Sequence, residues 1–151
     1  MRNREEEKNM ALIKDYAETF YTKENAYAFV GRHLIASYEG CYLKALADHD
    51  ELVPVMKTAI KASGATLLKV VKHRFPSSGG LTAVFLLAES HASIHTYPEH
   101  AACFVDLFTC GTTCLPEKFD AILTAFLRPK KVYRQILLRH QSIDQDKFRE
   151  V

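Results

Sequence analysis

The segment Leu81–Gly111, LTAVFLLAESHASIHTYPEHAACFVDLFTCG, decides the fold class. Residues 81–88 form an apolar run of the length of one strand buried on both faces. Residues 91–97, HASIHTY, alternate with the period of two that marks a strand. Residues 102–110, ACFVDLFTC, read as a further strand, ended by Gly111. Three strand-like stretches therefore follow one another with no helix between them. That order opposes a strict βαβ alternation and favours an antiparallel sheet.

The flanks extend the pattern. Upstream, ATLLKVVKH (65–73) is a β-branched strand candidate, and FPSSGG (75–80) carries turn residues. Before it, Asp48 and Asp50 are N-cap candidates for a helix through LVPVMKTAIKAS. Pro54 is expected in its first turn and Gly64 at its C′ position. Gly31 punctuates, HLIASY (33–38) reads as a strand, and Gly40 ends it. Part of residues 11–29 reads as an amphipathic helix. Downstream, PEKFDAILTAFL (116–127) reads as a helix with proline in its first turn, and residues 131–139 form the last strand. The expected class is α+β, a two-layer sandwich with helices on one face of an antiparallel sheet. The other sheet face needs cover, and a second copy of the chain is its natural supplier.

Composition sets limits on function. The chain has 151 residues, 48% of them apolar and 25% charged, with a net charge of +2. Those values fit one soluble globular domain. Near-neutral charge offers no basic face, so no nucleic-acid partner is expected. No apolar run reaches the roughly 20 residues that span a bilayer, so no membrane partner is expected. The charged start MRNREEEKN lacks the apolar core of a signal peptide, and a cytoplasmic location with reduced thiols is expected. The cysteines, Cys41, Cys103, Cys110 and Cys114, have no C-x2-C pair. His91, His95 and His100 lie near three of them, yet the spacings match no standard zinc arrangement, and no metal is expected.

The chemistry concentrates in AESHASIHTYPE, Ala88 to Glu99: two serines, two histidines and two glutamates in twelve residues. Each alone is ordinarily a hydrogen-bonded strand-end residue. A serine hydrolase built on Ser90 and His95 lacks the GxSxG elbow and its strand–turn–helix setting. Self-processing is the third reading. A serine hydroxyl attacks the carbonyl of its preceding peptide bond, and elimination from the resulting ester leaves a pyruvoyl group. That group condenses with a substrate amine as a Schiff base and takes up electrons as carbon dioxide leaves, with no added cofactor. The chemistry needs a serine at a turn, a supporting hydroxyl and a base. The residues available are Ser90, then Thr82 or Ser93, then His95 or His91.

ESHASIHTYPE followed by DLFTCG resembles the bacterial and archaeal S-adenosylmethionine decarboxylase proenzyme family, whose motif runs E-S-H-x-[ST]-I-H-T-[WY]-P-E. The likeness extends from GRHLI (31–35) through GAT (64–66) and HRF (73–75) to about residue 139. It implies cleavage between Glu89 and Ser90. The products are a β chain (1–89) and an α chain (90–151) headed by a pyruvoyl group derived from Ser90, with no metal and no pyridoxal phosphate. It further implies that His95 removes the Cα proton during processing and that Thr82 supports the tetrahedral intermediate. Cys110 is then the general acid of decarboxylation, Glu99 holds the ribose hydroxyls and Phe75 stacks on adenine. The implied assembly is a homodimer with stacked sheets, the implied substrate S-adenosylmethionine, and the implied product an aminopropyl donor for spermidine synthesis. By domain, 1–30 is an extension, 31–140 the decarboxylase domain and 141–151 a polar tail.

Three positions depart from the family pattern. Ser37 stands where an acidic residue is usual, with Glu39 two further on and so on the same strand face. The 75–80 loop is one residue longer, and Ala83 replaces a glycine. A pyruvoyl enzyme of the same family acting on ornithine or arginine is therefore a second reading, and an uncleaved regulatory paralog a third. Strand geometry adds a condition: five positions apart, Ser90 and His95 point to opposite faces of an ideal strand and meet only across a turn or bulge.

Overall fold

The structure is a computed structural model that describes residues 30–111 and 113–140. The amphipathic segment expected within 11–29 and the tail 141–151 lie outside those residues. Six strands form one antiparallel sheet: β1 Val30–Glu39, β2 Leu67–Phe75, β3 Gly80–Leu87, β4 Ser90–Tyr97, β5 Ala102–Cys110 and β6 Lys131–His140. Their order is β2-β3-β4-β5-β1-β6. The helices among the described residues are α1 Leu43–Ala47, α2 His49–Ala62 and α3 Pro116–Leu127. The α+β class expected from the run of consecutive strands is the one observed.

Alternation along each strand divides the sheet. Leu34, Ala36 and Tyr38 of β1, Ala83 and Phe85 of β3, Ile94 of β4 and Leu107 of β5 are buried on one face. Leu52, Met56 and Ile60 of α2, with Phe119 and Leu123 of α3, join them in the same core. Each large side chain so buried contributes about 1.5–3 kcal/mol. Asp120 of α3 is also buried, and ties this layer to the sheet through the Tyr38 hydroxyl and Arg134 Nε at 3.0 Å. Burial, and next Asp120 beside it, push the Tyr38 phenol well above its ordinary range.

One of the two N-cap candidates is the cap, as expected, and three other details differ from expectation. The Asp48 side chain caps α2 by accepting from the Glu51 amide at 3.1 Å, while Asp50 lies in the first turn. With His49 as the first helical residue, Pro54 sits a turn deeper than expected, inside the helix. Gly31 does not precede β1 but lies within it. A Cβ there would come 2.4 Å from the Phe108 ring, so the close approach of that ring requires glycine. Phe75 ends β2 rather than opening the loop. Gly64, by contrast, behaves as expected: at φ +91° it closes α2, its amide bonding Lys61 O while Ala65 bonds Ile60 O. The short helix α1 and the 3-10 turn Pro98–His100 had no expectation attached to them.

Among the described residues no helix covers the second sheet face. Val71, Leu86, Phe104, Tyr133 and Leu137 lie on it, 62%, 51%, 53%, 75% and 45% exposed. Single exposed apolar residues are ordinary, but several large ones on one sheet face, set among polar side chains, leave area that another surface can bury. Among the described residues no helix is long and apolar enough to cross a membrane.

Candidate active site

Strand pairing places the chemistry-bearing side chains in three adjacent rows across this open face. One row runs His73, Thr82, His95, Phe104, Ser37, Tyr133. The next runs Val71, Val84, Ser93, Asp106, Ile35, Gln135, and the third Lys69, Leu86, His91, Phe108, His33, Leu137. A shallow groove over the centre is lined by His33, Ser37, Ser93, His95 and Asp106 among others.

The seven residues singled out in the sequence fall into two groups at opposite ends of β4. At its start, Ala88 and Glu89 make a two-residue bend out of β3. The bend is held on three sides. The Ala88 amide donates to Thr66 O at 2.9 Å, and the Thr66 amide donates to Glu89 Oε2 at 2.9 Å. The Cys110 amide donates to the Glu89 carbonyl at 2.9 Å. That carbonyl belongs to the Glu89–Ser90 peptide bond. The exposed Cys110 side chain therefore belongs to the residue whose own amide polarises this bond. Cys114, buried close by, has its thiol pushed up by burial, and next by the Glu89 carboxylate.

At the other end, Thr82 Oγ1 and His95 Nδ1 are 3.0 Å apart across the β3–β4 pair. Phe75 and Glu99 lie toward this end, Phe75 at the close of β2 and Glu99 in the turn after β4. Phe75 is half exposed and stacks edge-on against His73 at 4.7 Å. Glu99 is exposed.

The two groups do not meet within one chain. β4 pairs with β5 in unbroken register from Ser90↔Thr109 to Tyr97↔Ala102, so no bulge reverses the alternation. Five residues of strand separate Ser90 from His95 by about 16 Å. The bend needed to join them lies before Ser90, not between the two.

A cluster on the middle of the open face was not legible as such in the sequence. Asp106 accepts from His33 Nε2 at 2.8 Å and from the Ser93 hydroxyl, and faces His91 Nε2 at 3.3 Å. Ser90 Oγ lies 3.4 Å from His91 Nδ1. Ser93 and His91 figured in the reading of the motif, but His33 and Asp106 are 73 positions apart and only pairing between β1 and β5 joins them. The alternation of GRHLI and of DLFTC was the one available signal, since it puts both residues on odd-facing positions of their strands. His33, His91 and Asp106 lie within 4.8 Å of one another, a different set from the histidine–cysteine grouping weighed in the sequence.

The profile of the S-adenosylmethionine decarboxylase family matches residues 32–140. An S-adenosylmethionine decarboxylase proenzyme of Pyrobaculum aerophilum is 42% identical over 103 residues, covering 68% of this chain and 82% of the relative. The proenzyme of Methanococcus vannielii is 44% identical, with 68% and 84% covered. The crystal structure of the adenosylmethionine decarboxylase from Aquifex aeolicus superposes with a TM-score of 0.69 at 28% identity, over 78% of this chain and 97% of that one. With motif, profile and fold in agreement, the chain belongs to the S-adenosylmethionine decarboxylase family.

Proposed function

We propose that the chain is a self-processing decarboxylase of S-adenosylmethionine, cleaved between Glu89 and Ser90. The observation that carries the reading is the preset cleavage point. The Glu89 carbonyl is already hydrogen-bonded to the Cys110 amide, beside a serine whose hydroxyl can reach it in a five-membered ring. A donor aimed at that oxygen lowers the cost of the negative charge it gains on attack, by about 3–4 kcal/mol in comparable sites.

The separation of Ser90 from Thr82 and His95 supports a site whose remaining groups come from a second copy. Two copies stacked through their open faces in opposite senses bring the start of one β4 against the end of the other. The Thr82 hydroxyl and the His95 imidazole then serve the Ser90 of the second copy. Thr82 donates to the oxyanion, and His95 takes the Ser90 Cα proton as the ester eliminates. The exposed Val71, Leu86, Phe104, Tyr133 and Leu137 are the surface such a homodimer would bury.

Once formed, the pyruvoyl group supplies an electrophilic carbonyl that holds the substrate amine and draws off electrons as carbon dioxide leaves. Cys110 delivers a proton to the substrate carbon. Glu99 accepts hydrogen bonds from ribose hydroxyls, and Phe75 offers its half-exposed ring to adenine and to the sulfonium charge. Ser37 keeps the groove beside Phe104 free of a second carboxylate. The β chain is then 1–89 and the α chain 90–151.

Intact mass of the purified chain tests the first claim. Two fragments meeting at Glu89/Ser90, the larger-numbered one headed by pyruvoyl, are expected. Carbon dioxide release from carboxyl-labelled S-adenosylmethionine, against ornithine and arginine, tests the second. Release from ornithine or arginine instead assigns the chain to the altered-specificity reading. A chain that stays whole on incubation assigns it to the uncleaved regulatory one.

A further inference from the structure

We propose that His91, oriented by Asp106, is the base that takes the Ser90 hydroxyl proton in the first step of self-cleavage, a step distinct from the one served by His95. The inference rests on the reading of Ser90 as the cleavage-site nucleophile.

The geometry is a relay. Ser90 Oγ is 3.4 Å from His91 Nδ1, and His91 Nε2 is 3.3 Å from Asp106 Oδ2. A carboxylate only accepts, so the ring nitrogens facing Asp106 carry their protons. The carboxylate beside Nε2 favours the His91 tautomer with its proton there and the lone pair on Nδ1, the atom 3.4 Å from the serine hydroxyl. Asp106 is in turn held by two further donors, His33 Nε2 at 2.8 Å and the Ser93 hydroxyl. The Phe108 ring seats both imidazoles, its centroid 5.3 Å from that of His33 and 5.9 Å from that of His91. His95 is excluded from this role within the chain by its distance from Ser90, about 16 Å along the strand.

The step balances without an external reactant. The Ser90 Oγ–H proton passes to His91 Nδ1 as Oγ bonds the Glu89 carbonyl carbon. The tetrahedral oxyanion is met by the Cys110 amide. Collapse breaks the bond from that carbon to the Ser90 nitrogen, and His91 returns the proton to that nitrogen. An ester with a free α-amine results, and no net proton is consumed. His91 touches the reacting oxygen and is catalytic; Asp106 acts through it and is a positioning residue.

The two histidines can be separated by experiment. In His95→Ala the ester should form and persist, and excess hydroxylamine should split it into 1–89 hydroxamate and a serine-headed 90–151. The rate of splitting then reads ester formation. Adding His91→Ala should slow it by about 10²–10⁴-fold, the range of general acid–base catalysis. Added imidazole should restore part of the rate. Asp106→Asn on the His95→Ala background should slow splitting and move its pH profile, while circular dichroism stays unchanged. Chelation should leave the rate as it was. A folded double variant that splits as fast as His95→Ala overturns the proposal. So does slow splitting that imidazole does not rescue, which makes His91 structural, or a chelator-sensitive rate, which gives the cluster to a metal ion. If wild type stays whole and His95→Ala resists hydroxylamine, the assignment of Ser90 itself has failed and this one falls with it.

Discussion

The Cys110 amide donates a 2.9 Å hydrogen bond to the carbonyl of Glu89. The amide at the proposed cleavage point thus belongs to the residue whose exposed thiol is the proposed general acid. Their contributions are separable, because truncating the side chain leaves the amide in place. Cys110→Ala should cleave at close to the wild-type rate and then turn over about 10²–10⁴-fold more slowly. Mass spectrometry for cleavage and carbon dioxide release for turnover check the two halves. Loss of cleavage in this variant would place the thiol in the processing step.

Trans assembly of the site predicts complementation. Ser90→Ala lacks the nucleophile and His95→Ala lacks the eliminating base, so each should stay uncleaved alone. Co-expressed with different tags, mixed dimers should contain one complete site. The His95→Ala chain should then appear as fragments 1–89 and 90–151. Mixed dimers that form, yet contain only whole chains, would show that Ser90 and His95 do not act across the interface.

The open face predicts its own disruption. Phe104→Glu puts a charge at a residue that is 53% exposed on the open sheet face. Sedimentation velocity should show a shift from dimer to monomer, accompanied by loss of cleavage. A Phe104→Glu variant that remains dimeric would locate the interface elsewhere.

The helix layer should tolerate truncation poorly. Phe119 is fully buried between α3 and the sheet. Phe119→Ala should cost about 3–5 kcal/mol, from lost burial and the cavity left behind. Urea denaturation of the uncleavable Ser90→Ala chain reads this without interference from processing.

His49 makes stability pH-dependent. Burial, and next the Arg74 charge, lower its pKa from the ordinary value of 6.5, and among the described residues its buried Nε2 has no hydrogen-bond partner. The unfolded chain therefore binds the proton more readily than the folded one, and stability rises with pH through this group. Its full contribution is present above pH 6.5 and is lost as the pH falls from there toward the lowered folded-state value. Denaturant midpoints of Ser90→Ala against Ser90→Ala/His49→Gln should converge at acidic pH and separate above neutrality. Parallel midpoints across that range would remove His49 from the pH dependence.

How much of this was legible in the chain differs by feature. The strands 81–88, 91–97 and 102–110 were readable because alternation and apolar runs are local. The helix 116–127 was readable because proline opens it and the apolar spacing is helical. Gly31 reads as punctuation from the sequence alone because its reason is Phe108, a residue 77 positions away. Pro54 was misplaced because its helix starts one turn earlier, at a cap supplied by Asp48. The motif residues Ser90, His95, Glu99 and Cys110 were recognisable because their spacing along the chain is itself the signature.

By itself, then, the sequence determined the family motif and which strand face each of its residues occupies, because a period of two is a property of the backbone. Tertiary structure alone decided their neighbours. Lateral pairing of β3 with β4 put Thr82 against His95, and pairing of β5 with β4 put the Cys110 amide on the Glu89 carbonyl. Insertion of β1 beside β5 brought His33 to Asp106. Strand order is set by where the apolar faces of α2 and α3 can be buried, a long-range balance that no local pattern encodes. The rigid rise of a strand then kept Ser90 and His95 about 16 Å apart, so that pairing within one sheet cannot bring them together.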